Sequence, residues 1–169
     1  MSDAVTPMTP LDLIREKRRH LARLANQSGA AGEAAALQSM ESWSPRPKGS
    51  DLRRLLEALV AEGISIKASS FDALATPGAL TFDEPEALKA QLSETVFIEI
   101  KTANQPRVKP GFDGFFFALT EAEILAAEKL GHRHKVALYN NLTAELLITS
   151  VSEILARSRS TNWQVSVQL

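Results

Sequence analysis

The segment that most constrains the fold is a strand pattern in residues 96–102, with the sequence VFIEIKT. Successive side chains of a β-strand point to opposite faces of the sheet. Glu99 and Lys101 therefore share one face, about 7 Å apart along the strand. The pattern is typical of a strand that presents a carboxylate and an ammonium side by side, flanked by apolar positions.

The segments around this strand alternate between helical and strand patterns. Upstream, residues 51–62 have apolar side chains at helical spacing and end at Gly63, whereas residues 64–69 alternate as a strand. Further along, the patterns predict a short helix over 85–92, strands over 95–102 and 115–119, a helix from Thr120 to Leu130, strands over 135–139 and 146–151, a short helix capped by Ser150, and a last strand over 163–169. This order predicts an α+β fold, a mixed β-sheet flanked by helices.

The N-terminal third is predicted to be helical and separate from this sheet. Residues 10–24 carry apolar side chains at helical spacing, and residues 30–43 are rich in alanine. Residues 44–50, SPRPKGS, cannot continue a helix, because proline lacks an N–H donor and restricts the residue before it. We therefore expect a helical N-terminal extension over 1–49 and one domain over 50–169.

Composition excludes several classes of protein. The chain has no cysteine, which excludes disulfides, thiol nucleophiles and cysteine-ligated metals. No apolar run approaches the roughly 20 residues of a membrane span, and the N-terminus lacks the apolar core of a signal peptide. We expect a soluble, cytoplasmic protein with no membrane partner.

Charge is distributed unevenly along the chain. The net charge is −1 and the pI about 6.3, which excludes a globally basic nucleic-acid binder. Residues 61–100, however, hold seven acidic and two basic side chains, between two stretches that are slightly basic. This distribution suits a cation site with basic surroundings.

Three motifs within residues 97–140 carry a resemblance to a known family. They are the Glu-x-Lys strand, the segment FFFALTEAE at 115–123, which runs into Thr-x-x-Glu, and VALYN at 136–140. The chain thereby resembles the PD-(D/E)-x-K, or restriction-endonuclease-like, nucleases, and is most similar to the domain at the C-terminus of plant NO VEIN-type proteins and in bacterial restriction and defence proteins. The resemblance implies a restriction-endonuclease-like core and Mg²⁺- or Mn²⁺-dependent hydrolysis of DNA.

The resemblance also implies roles for individual residues. Glu99 would hold the divalent cation and Lys101 would orient the attacking water or offset charge on the phosphate. Nucleases of this kind need a further acid upstream, and two residues are candidates for this catalytic and metal-binding position. Asp72 is preferred because it lies in an aromatic-Asp-aliphatic context; Asp83 is followed by Glu-Pro, which favours a loop or helix start.

Two basic residues, Arg107 and Lys109, lie in the proline-bounded loop QPRVKPG just after the Glu-x-Lys strand. We expect them to contact DNA phosphates without reading base sequence. Because the pI is low, we also expect a partner subunit, a homodimer or salt-sensitive DNA binding. Glu123 is expected to cap its helix, and His134 to lie in a solvated turn.

Two other interpretations of the same residues stay open. The chain could be a catalytically inactive nuclease-like fold that serves as a DNA-binding or protein-interaction subunit. It could also be an unrelated α+β protein in which Glu99 and Lys101 form a surface ion pair of little energetic value.

Overall fold

The computed structural model describes residue 40, residues 42–162 and residues 167–168. The strands are β1 (Trp43–Pro45), β2 (Ala73–Ala75), β3 (Val96–Ala103), β4 (His134–Asn140) and β5 (Leu146–Thr149). The helices are α1 (Gly49–Ala61), α2 (Pro85–Leu92), α3 (Glu121–Leu130) and α4 (Val151–Arg157), with short 3₁₀ turns at Ala68–Ser70, Pro110–Phe112 and Gly131–Arg133. The predicted fold class, an α+β protein with a mixed sheet, is confirmed.

The five strands form one sheet in which spatial order follows chain order, β1-β2-β3-β4-β5. The pairs β1–β2, β2–β3 and β4–β5 are antiparallel, and β3–β4 is parallel. A parallel pair needs a long crossover connection, and α3 lies within the connection between β3 and β4. The Glu-x-Lys strand β3 is therefore the central strand, with neighbours on both sides.

The two faces of the sheet are covered differently. On one face, leucines of α1 and α2 and the apolar side of α3 pack against Phe97 and Leu74. On the other face, the buried cluster consists entirely of strand residues, with Ile98, Ile100 and Tyr139 at its centre. Because side chains alternate along β3, Glu99 and Lys101 share the helix-covered face with Phe97.

Helix boundaries follow their capping residues. Thr120 and Glu123 form a reciprocal capping box at the start of α3, and Gly131, with φ 59°, ends the helix. Ser150 and Glu153 form the same box at the start of α4. These caps and the short helix α2 confirm the corresponding sequence predictions.

Two predicted strands are wrong. Residues 64–67 have no regular structure and continue into a 3₁₀ turn, and residues 115–119 have no regular structure and pair with no described strand. Both segments do partly bury alternate side chains, Ile64 and Ile66 in one case and Phe115 and Phe117 in the other. Alternation reports only that one side of a segment is buried, and it does not specify a hydrogen-bonded neighbour.

The structure has an edge strand, β1, in a segment that the sequence patterns did not predict as a strand. Trp43 pairs with Ala75, and Pro45 pairs with Ala73. Proline is tolerated there because β1 lies at the edge of the sheet. The sheet thus begins before residue 50, and the division of the chain at residue 49 stays a prediction.

Several predicted elements lie outside the described residues. These are the helix over 10–24, nearly all of the helix over 30–43, and the strand over 163–169 apart from residues 167–168, which are not in a strand. Among the residues that the structure describes, no helix is long and apolar enough to cross a lipid bilayer.

Candidate functional site

Hydrogen bonds with β3 hold Asp72 near Glu99. Ala73 is paired with Ile98, and Asp72 directly precedes Ala73 at the start of β2. The Asp72 N–H donates to the Ile98 carbonyl at 2.8 Å, and its Oδ2 accepts the Ile100 N–H at 2.9 Å. The Asp72 carboxylate is therefore held by the backbone of the strand that carries Glu99 and Lys101.

Lys101 lies between two carboxylates. Its Nζ is 2.9 Å from Glu99 Oε1 and 3.0 Å from each carboxylate oxygen of Glu123 on α3. The side chains of Lys101, Glu99 and Glu123 are 15, 7 and 6 % exposed. The hypothesis of a surface ion pair is therefore wrong, because the pair is buried and has a third member.

Burial and charge shift the protonation of these groups. Burial, followed by the negative charge of Asp72, raises the pKa of Glu99 to about 9, although Lys101 acts in the opposite direction. Burial by itself would lower the pKa of Lys101, but the charges and hydrogen bonds of Glu99 and Glu123 outweigh it and raise that pKa. Both shifts therefore favour the protonated form of the side chain concerned.

One carboxylate oxygen in this cluster has no partner. Glu99 Oε2 is buried and accepts no hydrogen bond within the described residues, and the half-buried Asp72 lies beside it. A divalent cation would give this oxygen a partner and neutralise the two adjacent acids, so the residues fit Mg²⁺ or Mn²⁺. Mg²⁺ commonly binds proteins through one or two carboxylates, with water and phosphate completing the shell.

The cluster lacks a complete set of protein ligands for a metal. In the part of the chain that the structure describes, no group of three or more histidine, aspartate or glutamate side chains has a metal-binding arrangement. Asp72 and Glu99 would hold the cation, while Glu123 is engaged with Lys101 and with the N–H of Thr120.

The other acid that the sequence offered lies elsewhere. Asp83 occurs just before α2, forms an ion pair with Arg54 of α1 and is 85 % exposed. Although it is closer to Glu99 than Asp72 is in the sequence, α2 intervenes and Asp83 is not among the charges that act on Glu99. The structure thus brings Asp72, Glu99 and Lys101 together and leaves Asp83 out.

The two basic residues expected to contact phosphate lie on the surface after β3. Arg107 and Lys109 are exposed; Arg107 Nε donates to Gln105 Oε1 at 2.7 Å, and the Lys109 N–H donates to the Asp113 carbonyl at 3.0 Å. Neither forms an ion pair with another described residue, so both charges can meet a ligand. Their contact with DNA stays a prediction.

Two residues near the cluster have roles that the sequence did not show. Glu123 caps α3 as expected, but it also binds Lys101, which depends on where α3 packs. His134 was expected in a solvated turn; instead it is buried as the first residue of β4, and burial lowers its pKa despite the opposing effects of the Ser70 backbone and Glu123. Helical spacing and turn signals contain no information on either contact.

Comparison of the chain with protein-family models, with curated proteins and with solved structures finds no match. The functional interpretation consequently depends on the residues of the cluster themselves.

Proposed function

We propose that this protein is a cytoplasmic Mg²⁺- or Mn²⁺-dependent nuclease of the restriction or defence type, which hydrolyses phosphodiester bonds in DNA. The observation that carries the proposal is that the Asp72 carboxylate accepts the Ile100 N–H of β3, between Glu99 and Lys101 on the same strand. Two adjacent acids and a lysine on one face of neighbouring strands are the groups that metal-dependent phosphodiester hydrolysis requires.

The topology supports the proposal in part. Strands β2 and β3 are antiparallel, and they are followed by α3 and by β4, which is parallel to β3. This order agrees with the second half of a restriction-endonuclease-like core. The expected succession of helix, three strands, helix and strand differs at its start, because residues 64–69 and 115–119 are not strands. The restriction-endonuclease-like core is thus part of the proposal.

Each residue of the cluster has a distinct role in the proposed reaction. Asp72 and Glu99 would hold the cation, and Glu99 would have to be deprotonated to bind it. The bound cation would polarise the phosphate and lower the pKa of a water molecule. Lys101 supplies positive charge where negative charge grows on the phosphate. Glu123 acts as a positioning residue, because it holds the Lys101 ammonium from the far side.

A cleavage assay tests this proposal. Plasmid DNA and a labelled oligonucleotide are incubated with the protein in Mg²⁺, in Mn²⁺ and in EDTA, using wild type and the variants Asp72→Asn, Glu99→Gln and Lys101→Ala. We expect cleavage by wild type only with metal, and at least about a hundredfold loss in each variant, because every one removes part of the cation or charge support.

Asp83→Asn is the matched control, since it neutralises a nearby aspartate outside the cluster. It should cleave as fast as wild type. Equal cleavage by wild type and by Asp72→Asn or Glu99→Gln would contradict the assignment of the site.

A second candidate function is that of a catalytically inactive nuclease-like subunit that binds DNA or another protein. The observation that favours it is the engagement of Lys101 Nζ with both Glu99 and Glu123, which is also what a purely structural ion network would show. Calorimetric titration with Mn²⁺ separates the two functions. The nuclease should bind the ion and lose that binding in Asp72→Asn, whereas the inactive subunit should bind DNA without metal or cleavage.

A further inference from the structure

An exposed aromatic ring stands beside the basic loop that follows β3. Phe116 is 69 % exposed, while its neighbours Phe115 and Phe117 turn into the apolar cluster that α4 covers. The rings of Phe115 and Phe117 lie 4.9 Å apart, and Phe112 is 5.9 Å from Phe115. Because the rings on both sides of Phe116 pack against the apolar cluster, the backbone at Phe116 is anchored and its own ring lies in solvent.

The segment around Phe116 has one exposed side. Residues 116–119 have no regular secondary structure, and their N–H groups donate to no other described residue. The residues that alternate with the partly buried side chains, Gly114, Phe116 and Ala118, are exposed. This strip, residues 114–118, therefore presents one aromatic ring on its exposed side.

The strip adjoins the positive charges. Gly114 has φ 79°, and a Cβ at this position would come within 3.6 Å of the Arg107 carbonyl. The Lys109 N–H is bonded to the carbonyl of Asp113. Since two residues of extended chain span about 7 Å, Phe116 lies within about one nucleotide spacing of the loop that carries Arg107 and Lys109.

The strip also leads to the proposed catalytic cluster. Four residues after Phe116, Thr120 caps α3, and Glu123 of the same capping box binds Lys101. On the other side, the basic loop begins directly after β3, the strand that carries Glu99 and Lys101. The exposed ring, the basic loop and the cluster are thus parts of one continuous region of the chain.

We infer that Phe116 is a base-stacking platform and that the substrate class is single-stranded or locally unpaired nucleic acid. The inference rests on the proposed function, because it assumes that nucleic acid reaches the Glu99–Lys101 cluster. A base can stack on an exposed aromatic ring only when its own face is free, which duplex DNA does not offer. Arg107 and Lys109 contact the phosphates next to the stacked base.

Fluorescence anisotropy with a labelled 12-nucleotide dT strand and a matched 12-base-pair duplex, both in EDTA, tests the inference without any cleavage. Wild type should bind the single strand more tightly than the duplex. Phe116→Ala should weaken single-strand binding by about fivefold or more and leave duplex binding unchanged. Phe116→Trp should retain the affinity, whereas Phe116→Leu, which keeps apolar area but no π-face, should lose most of it.

Val60→Ala is the matched control. Val60 is a comparably exposed apolar residue, at 58 %, on α1, and this variant should bind both probes like wild type. Circular dichroism of every variant confirms that it is folded.

Several results would overturn the inference. The first is that wild type does not bind the single strand, or binds it no more tightly than Phe116→Ala does. The second is that Phe116→Leu keeps the full affinity for the single strand. The third is that Phe116→Ala weakens binding to the duplex as much as binding to the single strand. A wild-type dimer that Phe116→Ala dissociates without changing oligonucleotide binding would instead assign the strip to a protein contact. Failure of the proposed function is distinguishable, because the protein would then show the Phe116-dependent binding but no metal-dependent cleavage.

Discussion

Two carboxylates of this protein each have a basic partner, and their surroundings differ completely. Asp83 pairs with Arg54 at the surface, where the two side chains are 85 and 42 % exposed. Glu99 pairs with Lys101 inside the molecule, where Asp72 and Glu123 add two more carboxylates. The pairs look alike in a list of charges, but Glu99 is buried, its pKa is raised, and its Oε2 accepts no hydrogen bond within the described residues. Burial, rather than the basic partner, is what raises the pKa of Glu99 and makes it a candidate for a chemical role.

The largest difference between the two pairs should follow removal of the basic residue. Lys101→Met leaves buried carboxylates without their cation, and we expect a loss of about 3–5 kcal/mol in the free energy of unfolding. Urea denaturation followed by circular dichroism measures it. Arg54→Met is the matched control and should cost less than about 1 kcal/mol. Similar losses in the two variants would mean that the buried cluster has no special energetic role.

Glu99→Gln is expected to raise the free energy of unfolding, by less than Lys101→Met lowers it. The pKa of Glu99 is about 9 in the folded protein against an ordinary value of 4.5. Between these values the unfolded state releases the proton and the folded state keeps it, so this residue lowers stability as pH rises from about 4.5 to 9. The neutral amide removes the effect, and the variant should be about 1–2 kcal/mol more stable than wild type at pH 8.

Thermal and urea unfolding of wild type and Glu99→Gln across this pH window measure how steeply the free energy of unfolding changes with pH. Asp83→Asn should leave the slope unchanged. A steeper decline with pH in Glu99→Gln than in wild type would contradict the assigned direction of the shift. The same variant is expected to lose DNA cleavage, so stability and the proposed activity should move in opposite directions.

The smallest effect concerns the surface pair by itself. A double-mutant cycle of Arg54→Met and Asp83→Asn should give a coupling energy below about 1 kcal/mol. The coupling should fall further at 1 M NaCl, where exposed charges are strongly screened. A coupling that survives this salt concentration would show that Arg54 and Asp83 are shielded from solvent, and would remove the contrast with the buried cluster.

Local sequence signals predicted part of the fold well. The alternation of residues 96–102 predicted β3, and Thr120 with Glu123 predicted the start of α3. The strand over 115–119 was predicted by the same rule and is wrong. Its apolar side chains pack against the cluster beneath α4, whereas its backbone pairs with no strand among the described residues. Strand pairing depends on which segments meet in space, and alternation does not contain that information.

In the candidate site, too, relations between neighbouring residues could be predicted from the sequence, whereas contacts between distant residues could not. The sequence predicted Glu99 and Lys101 on one face of a strand, because two residues of spacing suffice for that. The choice between Asp72 and Asp83 was open, since distance along the chain favoured Asp83 and context favoured Asp72. In the structure the Asp72 carboxylate accepts the Ile100 N–H beside Glu99, whereas Asp83 lies just before α2 and pairs with Arg54.

Strand β3, the helix caps and the two charges on one face of β3 could be predicted from the sequence, and its lack of cysteine excludes thiol chemistry. The strand, the caps and the charge pair depend on residues only a few positions apart, where backbone geometry fixes the relation between side chains. Tertiary packing is what buries the pair, makes Asp72 its acidic neighbour and brings Glu123 to its lysine. Those contacts join residues 22 to 28 positions apart, and only the packing of the helices and the sheet register bring such residues together.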